Sequence, residues 1–307
     1  MKVAFSQFWP GFRGDASFFY RLLEAEGLNP QDVSGRKDKP DLEFVSVFPS
    51  RRDLLLRKLN TVLSRSPSGG SEQALANTID TLPKRLAPTR VWFTGENIRV
   101  PHGQDFDYSL SYEQDPYTSS NTYFPLWYTH LDWFGKPEFN HRVGKDVRAD
   151  ELMRPRSLSE SKPKFACAFI GNPHPMRSRA IEALSMFGEV DVFGKAVGKP
   201  VKYKADIAKN YKYMICFEND LFPGYVTEKL LDAYLAETVP IYWGLLGGDK
   251  DINSKSFINL ADFSSIAETI DQLHSVNKNQ YEEIYSEPFL VKKPSIQNLI
   301  EVIRSAK

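Results

Sequence analysis

The sequence predicts an α/β protein made of two consecutive Rossmann-like halves. Three observations lead there. Short apolar runs alternate with segments of helical spacing along most of the chain, the pattern of parallel strands joined by crossover helices. The stretch 146–164, DVRADELMRPRSLSESKPK, is polar, carries both charge signs and holds two prolines, as an interdomain connection would. The 307 residues suit about two domains of roughly 150 residues each.

In the first half, residues 1–155, Lys2 to Phe8 alternates as a strand and is broken by Pro10-Gly11. Ser17 to Ala25 (SFFYRLLEA) has helical spacing, and Leu42 to Phe48 is a strand ended by Pro49. The polar, Gly- and Ser-rich run 64–71 reads as a loop. Strands at Arg90 to Phe93 and Tyr108 to Tyr112 follow. In the second half, residues 156–307, strands are expected at Phe165 to Ile170, Val190 to Phe193, Tyr213 to Phe217, Val239 to Trp243 and Phe257 to Leu260. Helices are expected at Arg177 to Phe187, Thr227 to Glu237, Ser264 to Ser275, Gln280 to Ser286 and Ile296 to Ser305, the last free to pack back on the first half.

Composition excludes whole classes. Apolar residues make up 41% and charged residues 25%, enough for a sizeable core and unlike a disordered chain. Lys plus Arg and Asp plus Glu are 39 each, so the basic excess of a duplex-binding protein is missing and no nucleic-acid partner is expected. Cys167 and Cys216 sit in apolar runs and read as two buried, reduced thiols, which suits a cytoplasmic setting. The start, MKVAFSQFWPGFRGD, is too broken for a signal-peptide core, and no run of about 18 apolar residues could span a membrane.

The segment Cys216 to Gly244, CFENDLFPGYVTEKLLDAYLAETVPIYWG, reads as strand, turn, helix, strand. Thr227 is placed to cap that helix, with Glu228 and Lys229 in its first turn. The polar cluster therefore falls at the carboxyl end of a parallel strand, where open α/β sheets bind ligands. A helix N-terminus beside a lysine suits a phosphate, and Glu228 can accept from sugar or ribose hydroxyls. The plainer reading makes Glu228 an ordinary N-terminal helix charge and Lys229 a solvated one.

The order FEN, GYVTEK, DAYLAETVPIYWG resembles the donor-binding signature of the α-1,3-fucosyltransferases, in a bacterial-type member. FTGEN at 93–97 and FDYSLSYE at 106–113 are similar to that family's first-domain motif, and Asn172-Pro173, Arg177 and EAL at 182–184 keep its order. Resembling segments span roughly residues 90–290, and the first 85 residues match only in general character. The resemblance implies an inverting transferase of GT-B type, with two Rossmann-like domains facing across a cleft. Residues 1–155 would supply acceptor contacts and the base, and residues 156–307 would bind GDP-fucose. The reaction implied is transfer of fucose to a sugar hydroxyl, O3 of an N-acetylglucosamine in an N-acetyllactosamine-type or lipopolysaccharide glycan.

It also implies roles for residues. Glu96 matches the base that takes the acceptor proton, although on the residues alone a loop cap with Asn97 is the preferred reading. Arg177 matches a phosphate-contacting arginine, whose fork can bridge two oxygens, and Arg179 is a rival with the same chemistry. Lys229 matches the second cation and Glu228 the residue holding sugar or ribose hydroxyls. Asn219 and Tyr225 match contacts to nucleoside or fucose, and Tyr225 also reads as a core aromatic. Phe222-Pro223 is a departure from the family pattern within this turn. The partners implied are GDP-fucose as donor substrate and an oligosaccharide acceptor, with no further cofactor. Rival readings are a transferase of the same fold using another nucleotide sugar and a non-catalytic carbohydrate-binding protein.

Other signals carry less. The run Tyr123 to Phe134 reads mostly as core, with Trp127, Trp133 and Phe134 as candidates for an acceptor-stacking floor. Asp105-Phe106-Asp107 mimics a metal-chelating DxD, but it enters a strand. The five histidines lack zinc spacing, so no metal site is expected. Arg13-Gly14-Asp15 reads as a turn rather than an adhesion motif. No GxGxxG or P-loop pattern occurs. Without a heptad array or basic aromatic tail, stable membrane attachment is not expected, and only weak association with membrane glycan machinery at the inner face stays open.

Overall fold

The computed structural model describes residues 1–33, 38–48, 88–101, 106–114, 120–135, 147–158, 161–248, 250–262, 268 and 278–305. The loop expected at 64–71 and, apart from Glu268, the helix expected at 264–275 lie outside the described residues. In chain order the strands are β1 (Lys2–Ser6), β2 (Gln31–Val33), β3 (Leu42–Val45), β4 (Thr89–Phe93), β5 (Tyr108–Ser111) and β6 (Asn121–Tyr123). They continue as β7 (Lys164–Phe169), β8 (Val190–Phe193), β9 (Tyr211–Phe217), β10 (Val239–Trp243) and β11 (Ile258–Asn259). The described helices are α1 (Phe18–Ala25), α2 (Ala149–Leu152), α3 (Pro175–Leu184), α4 (Lys204–Ala208), α5 (Glu228–Leu235), α6 (Lys278–Ser286) and α7 (Gln297–Ser305).

Packing divides the chain into two units: Met1–Ser111 with Pro116–Thr122 and Ile296–Lys307, and Tyr112–Asp115 with Tyr123–Ser295. The first holds a sheet of order β2-β1-β3-β4-β5-β6, parallel from β2 through β5. β3 is buried along its whole length, which explains why LEFV does not alternate. Its one charge, Glu43, accepts from Ser6 Oγ on β1 at 2.8 Å and Arg90 Nε on β4 at 3.1 Å, so a buried carboxylate ties three strands in register. Ser17 Oγ caps α1 by accepting from the Tyr20 N–H at 3.2 Å, and Phe18, Phe19, Leu22 and Leu23 turn inward. In the same unit α7 buries Leu299 and Ile303, with Arg304 paired to Glu26 at 2.7 Å. Arg13 and Asp15 pair with each other across a 3-10 turn at Gly14–Ala16.

The second unit holds a five-stranded parallel sheet, order β11-β10-β9-β7-β8. The chain runs from β7 outward to β8, then crosses back to β9 and on to β10. That reversal leaves a crevice between the carboxyl ends of β7 and β9, where this sheet type takes ligands. Ala166 and Ala168 of β7 are small enough for α3 to seat Ala180 and Leu184 against them, and Ile215, Val239 and Ile241 complete that core.

Residues 123–135 and 147–155, grouped with the first half on composition, pack with this second unit. Tyr128 donates to Asp251 Oδ2 at 2.7 Å, Trp127 meets Phe289 edge-on at 6.0 Å, and the Leu290 N–H donates to the Leu152 carbonyl. Arg156, from the expected connection, is half-buried beneath α5. Its guanidinium donates to the carbonyls of Tyr234 (2.6 Å), Tyr285 (3.1 Å) and Thr238 (3.3 Å) and lies over the rings of Tyr234 and Tyr285. A cation at the negative end of α5 is favourable there, although burial lowers its pKa. Among the described residues no helix is long and apolar enough to cross a membrane.

Candidate functional site

The crevice between β7 and β9 is bridged by one side chain. After β7 the chain turns through Gly171 and Asn172 to His174, whose Nδ1 accepts from the Met176 N–H at 3.3 Å and caps α3. Pro175 fills the first helical position, where no N–H is needed. Arg177 follows two residues later and reaches back over both strand ends. It donates to the Asn172 carbonyl (2.7 Å) on the β7 side. On the β9 side it donates to the carbonyls of Phe217 (3.1 Å) and Glu218 (3.4 Å) and to Asn219 Oδ1 (2.8 Å). These acceptors are neutral, and among the described residues no carboxylate is ion-paired with this guanidinium. Desolvation lowers its pKa and the nearby Glu218 carboxylate raises it; an arginine remains charged, so a cation without an ion-pair partner among the described residues stands at the crevice. Arg179, the rival read from the sequence, has no such place.

The second feature is a wholly buried carboxylate that the sequence reading passed over. Glu218 Oε1 accepts from the Thr227 N–H at 2.8 Å and from the Tyr242 hydroxyl at 3.2 Å. Oε2 accepts from Thr227 Oγ1 and Lys229 Nζ, both at 2.8 Å. Thr227 does occupy the N-cap position of α5, but its hydroxyl is given to Glu218 and does not cap the helix. Lys229 is accordingly an ion-paired residue, not a solvated one. The signal was present as a glutamate directly after an apolar strand, but nothing in the sequence shows that four donors converge on it.

The turn between Glu218 and Thr227 depends on Gly224, whose φ of +85° and close approach to the Tyr112 carbonyl admit no side chain. Phe222 and Tyr225 both set their rings edge-on against Tyr112, at 5.3 and 5.1 Å. The departure at Phe222-Pro223 is thus an anchored turn, and Tyr225, 2% exposed, is a packed aromatic. Glu228 is buried at the first position of α5, while Asn219 is exposed and oriented by Arg177. Arg177, Asn219, Tyr225, Glu228 and Lys229 all belong to the carboxyl edge of this one sheet.

Glu96 belongs to the first unit, three residues beyond β4, and is partly buried. Thr94 holds its backbone: Thr94 Oγ1 donates to the Glu96 carbonyl at 2.8 Å and accepts from the Glu96 N–H at 3.1 Å. The two tryptophans part company. Trp127 is fully buried, edge-on to Tyr128 and Phe289, so it is core and not a stacking floor. Trp133 is half-buried, its indole N–H donating to the Tyr128 carbonyl at 2.8 Å. Asp107 accepts from the Arg90 N–H at 2.8 Å, tying the DxD mimic to β4, and Asp105 lies outside the described residues. Among the described residues no group of His, Cys, Asp and Glu side chains could hold a metal ion. Cys167 and Cys216 are buried and free, and burial pushes both thiols up, Cys167 to about 12, so neither is a nucleophile.

The chain is similar to known proteins in sequence and in fold. Residues 159–293 match the model of the family described as Glycosyltransferase family 10 (fucosyltransferase) C-term. The chain is similar to the alpha-(1,3)-fucosyltransferase FucT of Helicobacter pylori, 30% identical over 264 residues that cover 76% of this chain and 55% of that protein. It is also similar to the mouse 4-galactosyl-N-acetylglucosaminide 3-alpha-L-fucosyltransferase 9, 33% identical over 148 residues, covering 45% of this chain and 40% of that protein. The chain thus spans about half the length of these relatives. A crystal structure of an alpha1,3-fucosyltransferase with GDP matches with a TM-score of 0.66 and 25% identity, covering 99% of this chain and 88% of that one. The resemblance and the GT-B type fold expected from the sequence are both borne out.

Proposed function

We propose, from the family 10 fucosyltransferase region that residues 159–293 match, that the protein is a glycosyltransferase moving L-fucose from GDP-fucose to an acceptor hydroxyl with inversion. The observation that carries the reading is Arg177, hydrogen-bonded to neutral oxygens, beside the Glu218–Lys229 pair at the carboxyl edge of a parallel sheet. A diphosphate matches that charge, and the relatives' names supply the sugar: fucose on a GDP carrier is GDP-fucose.

In the reaction, Glu96 takes the proton of the acceptor hydroxyl as its oxygen attacks C1 of fucose. The bond from C1 to the diphosphate oxygen breaks, and its electron pair leaves with GDP. Arg177, Lys229 and the α5 N-terminus stabilise the charge that gathers on the departing diphosphate. These cations do that work, so no divalent metal enters the scheme. Glu228 accepts from ribose or fucose hydroxyls and Asn219 lines the nucleoside or fucose, while Tyr225 acts from behind, packing the turn that carries them. Trp133 offers a ring to the acceptor. The acceptor we assign is O3 of N-acetylglucosamine in an N-acetyllactosamine-type or lipopolysaccharide glycan, giving an α-1,3 linkage. Two buried, unpaired thiols accord with the cytoplasmic setting we assign to the reaction.

Titration calorimetry with GDP and UDP tests the donor half of this reading. GDP should bind the more tightly, and Lys229→Ala should weaken it about tenfold, the scale of one charge-assisted hydrogen bond. Unchanged affinity in that variant would remove Lys229 from the donor site.

A further inference from the structure

Lys229 is poorly placed by its own helix. A lysine in the first turn faces the positive end of the helix dipole, and its long side chain has several rotamers to lose. What holds it is Glu218, a residue with no assigned role, which touches both proposed phosphate cations. Its backbone carbonyl accepts from Arg177 at 3.4 Å, and its carboxylate accepts from Lys229 Nζ at 2.8 Å. The carboxylate is itself immobile, because Thr227 and Tyr242 supply its other three hydrogen bonds from the start of α5 and from β10. The helix is in turn pinned at its far end by Arg156.

We infer that Glu218 is a positioning residue for donor binding: its carboxylate presets the Lys229 ammonium at the place the GDP diphosphate occupies. The inference rests on the donor reading of Lys229 given above. Pre-set geometry raises affinity by sparing the side chain's rotamer entropy at the moment of binding.

Glu218→Gln separates this role from a merely structural one. The Thr227 backbone N–H can only donate, so the amide oxygen of glutamine stays opposite it. The amide NH2 then replaces Oε2, where the Thr227 hydroxyl can turn to accept but Lys229 cannot. Lys229 is therefore the one donor that loses its acceptor. GDP affinity by calorimetry should fall about five- to tenfold in Glu218→Gln, the scale of one immobilised lysine side chain. In the Lys229→Ala background the same change should leave affinity within about twofold, since coupled residues are non-additive. Glu218→Asp, which keeps the charge but withdraws it by one methylene, is the second variant, and its loss should likewise vanish without Lys229. An equal loss in both backgrounds would show that Glu218 acts through the fold, and no loss or a gain beside intact Lys229 would show that it does not position the ammonium. Either result overturns the inference alone. Unchanged affinity in Lys229→Ala itself would remove the donor reading and this inference together.

Discussion

Arg177→Ala should lower GDP affinity about 100-fold, toward the lower end of the range for truncating a hydrogen-bonded, desolvated charge. The expectation follows from what the guanidinium lacks. Lys229 is ion-paired with Glu218, whereas the guanidinium of Arg177 donates to the neutral oxygens of Asn172, Phe217, Glu218 and Asn219. Its guanidinium is therefore the cation at this edge with no ion-pair partner among the described residues. Arg177→Lys should recover little of the loss. A lysine carries one point of donation and cannot span the Asn172 carbonyl on one strand end and Asn219 on the other. Calorimetry measures both variants, with thermal melting to confirm that the crevice loops still fold. Affinity within about threefold of wild type in Arg177→Ala would remove the arginine from the donor site.

Glu96→Gln should lower kcat about 100- to 10,000-fold, the usual contribution of a general base, with GDP affinity unchanged. The amide is nearly the same size and leaves the backbone turn with Thr94 intact, because that turn uses only the Glu96 N–H and carbonyl. What it removes is the carboxylate that would accept the proton. Single-turnover kinetics at saturating donor separates this step from binding. A kcat close to wild type would make Glu96 the loop-capping residue of its plainer reading.

The sheets were legible because mostly buried strands make predominantly apolar runs, FACAF in β7 and YMICF in β9, with Glu43 the one charge in β3. The elements that sequence reading omits are short and polar. β2 is Gln31–Val33, exposed at the sheet edge, β6 is Asn121–Tyr123, and α4 has five residues. Backbone pairing alone defines them, and composition carries no trace of that. The donor-side residues were legible as a motif, since turn and helix start must lie consecutively in the chain. Their electrostatics were not. Lys229 is paired because Glu218 lies within 2.8 Å of it, held there in part by Tyr242, 24 residues away. Trp127 failed for a similar reason: an aromatic run does not reveal which rings turn inward, and this one meets Phe289.

Incubation with GDP-fucose and N-acetyllactosamine, followed by mass spectrometry and NMR of the product, tests the proposed transfer most directly. The result expected is fucose α-linked to O3 of the N-acetylglucosamine, with one GDP released per fucose transferred and almost no product from Glu96→Gln. Turnover of another nucleotide sugar with no transfer from GDP-fucose, or binding of GDP-fucose with no product on any acceptor glycan, would contradict it.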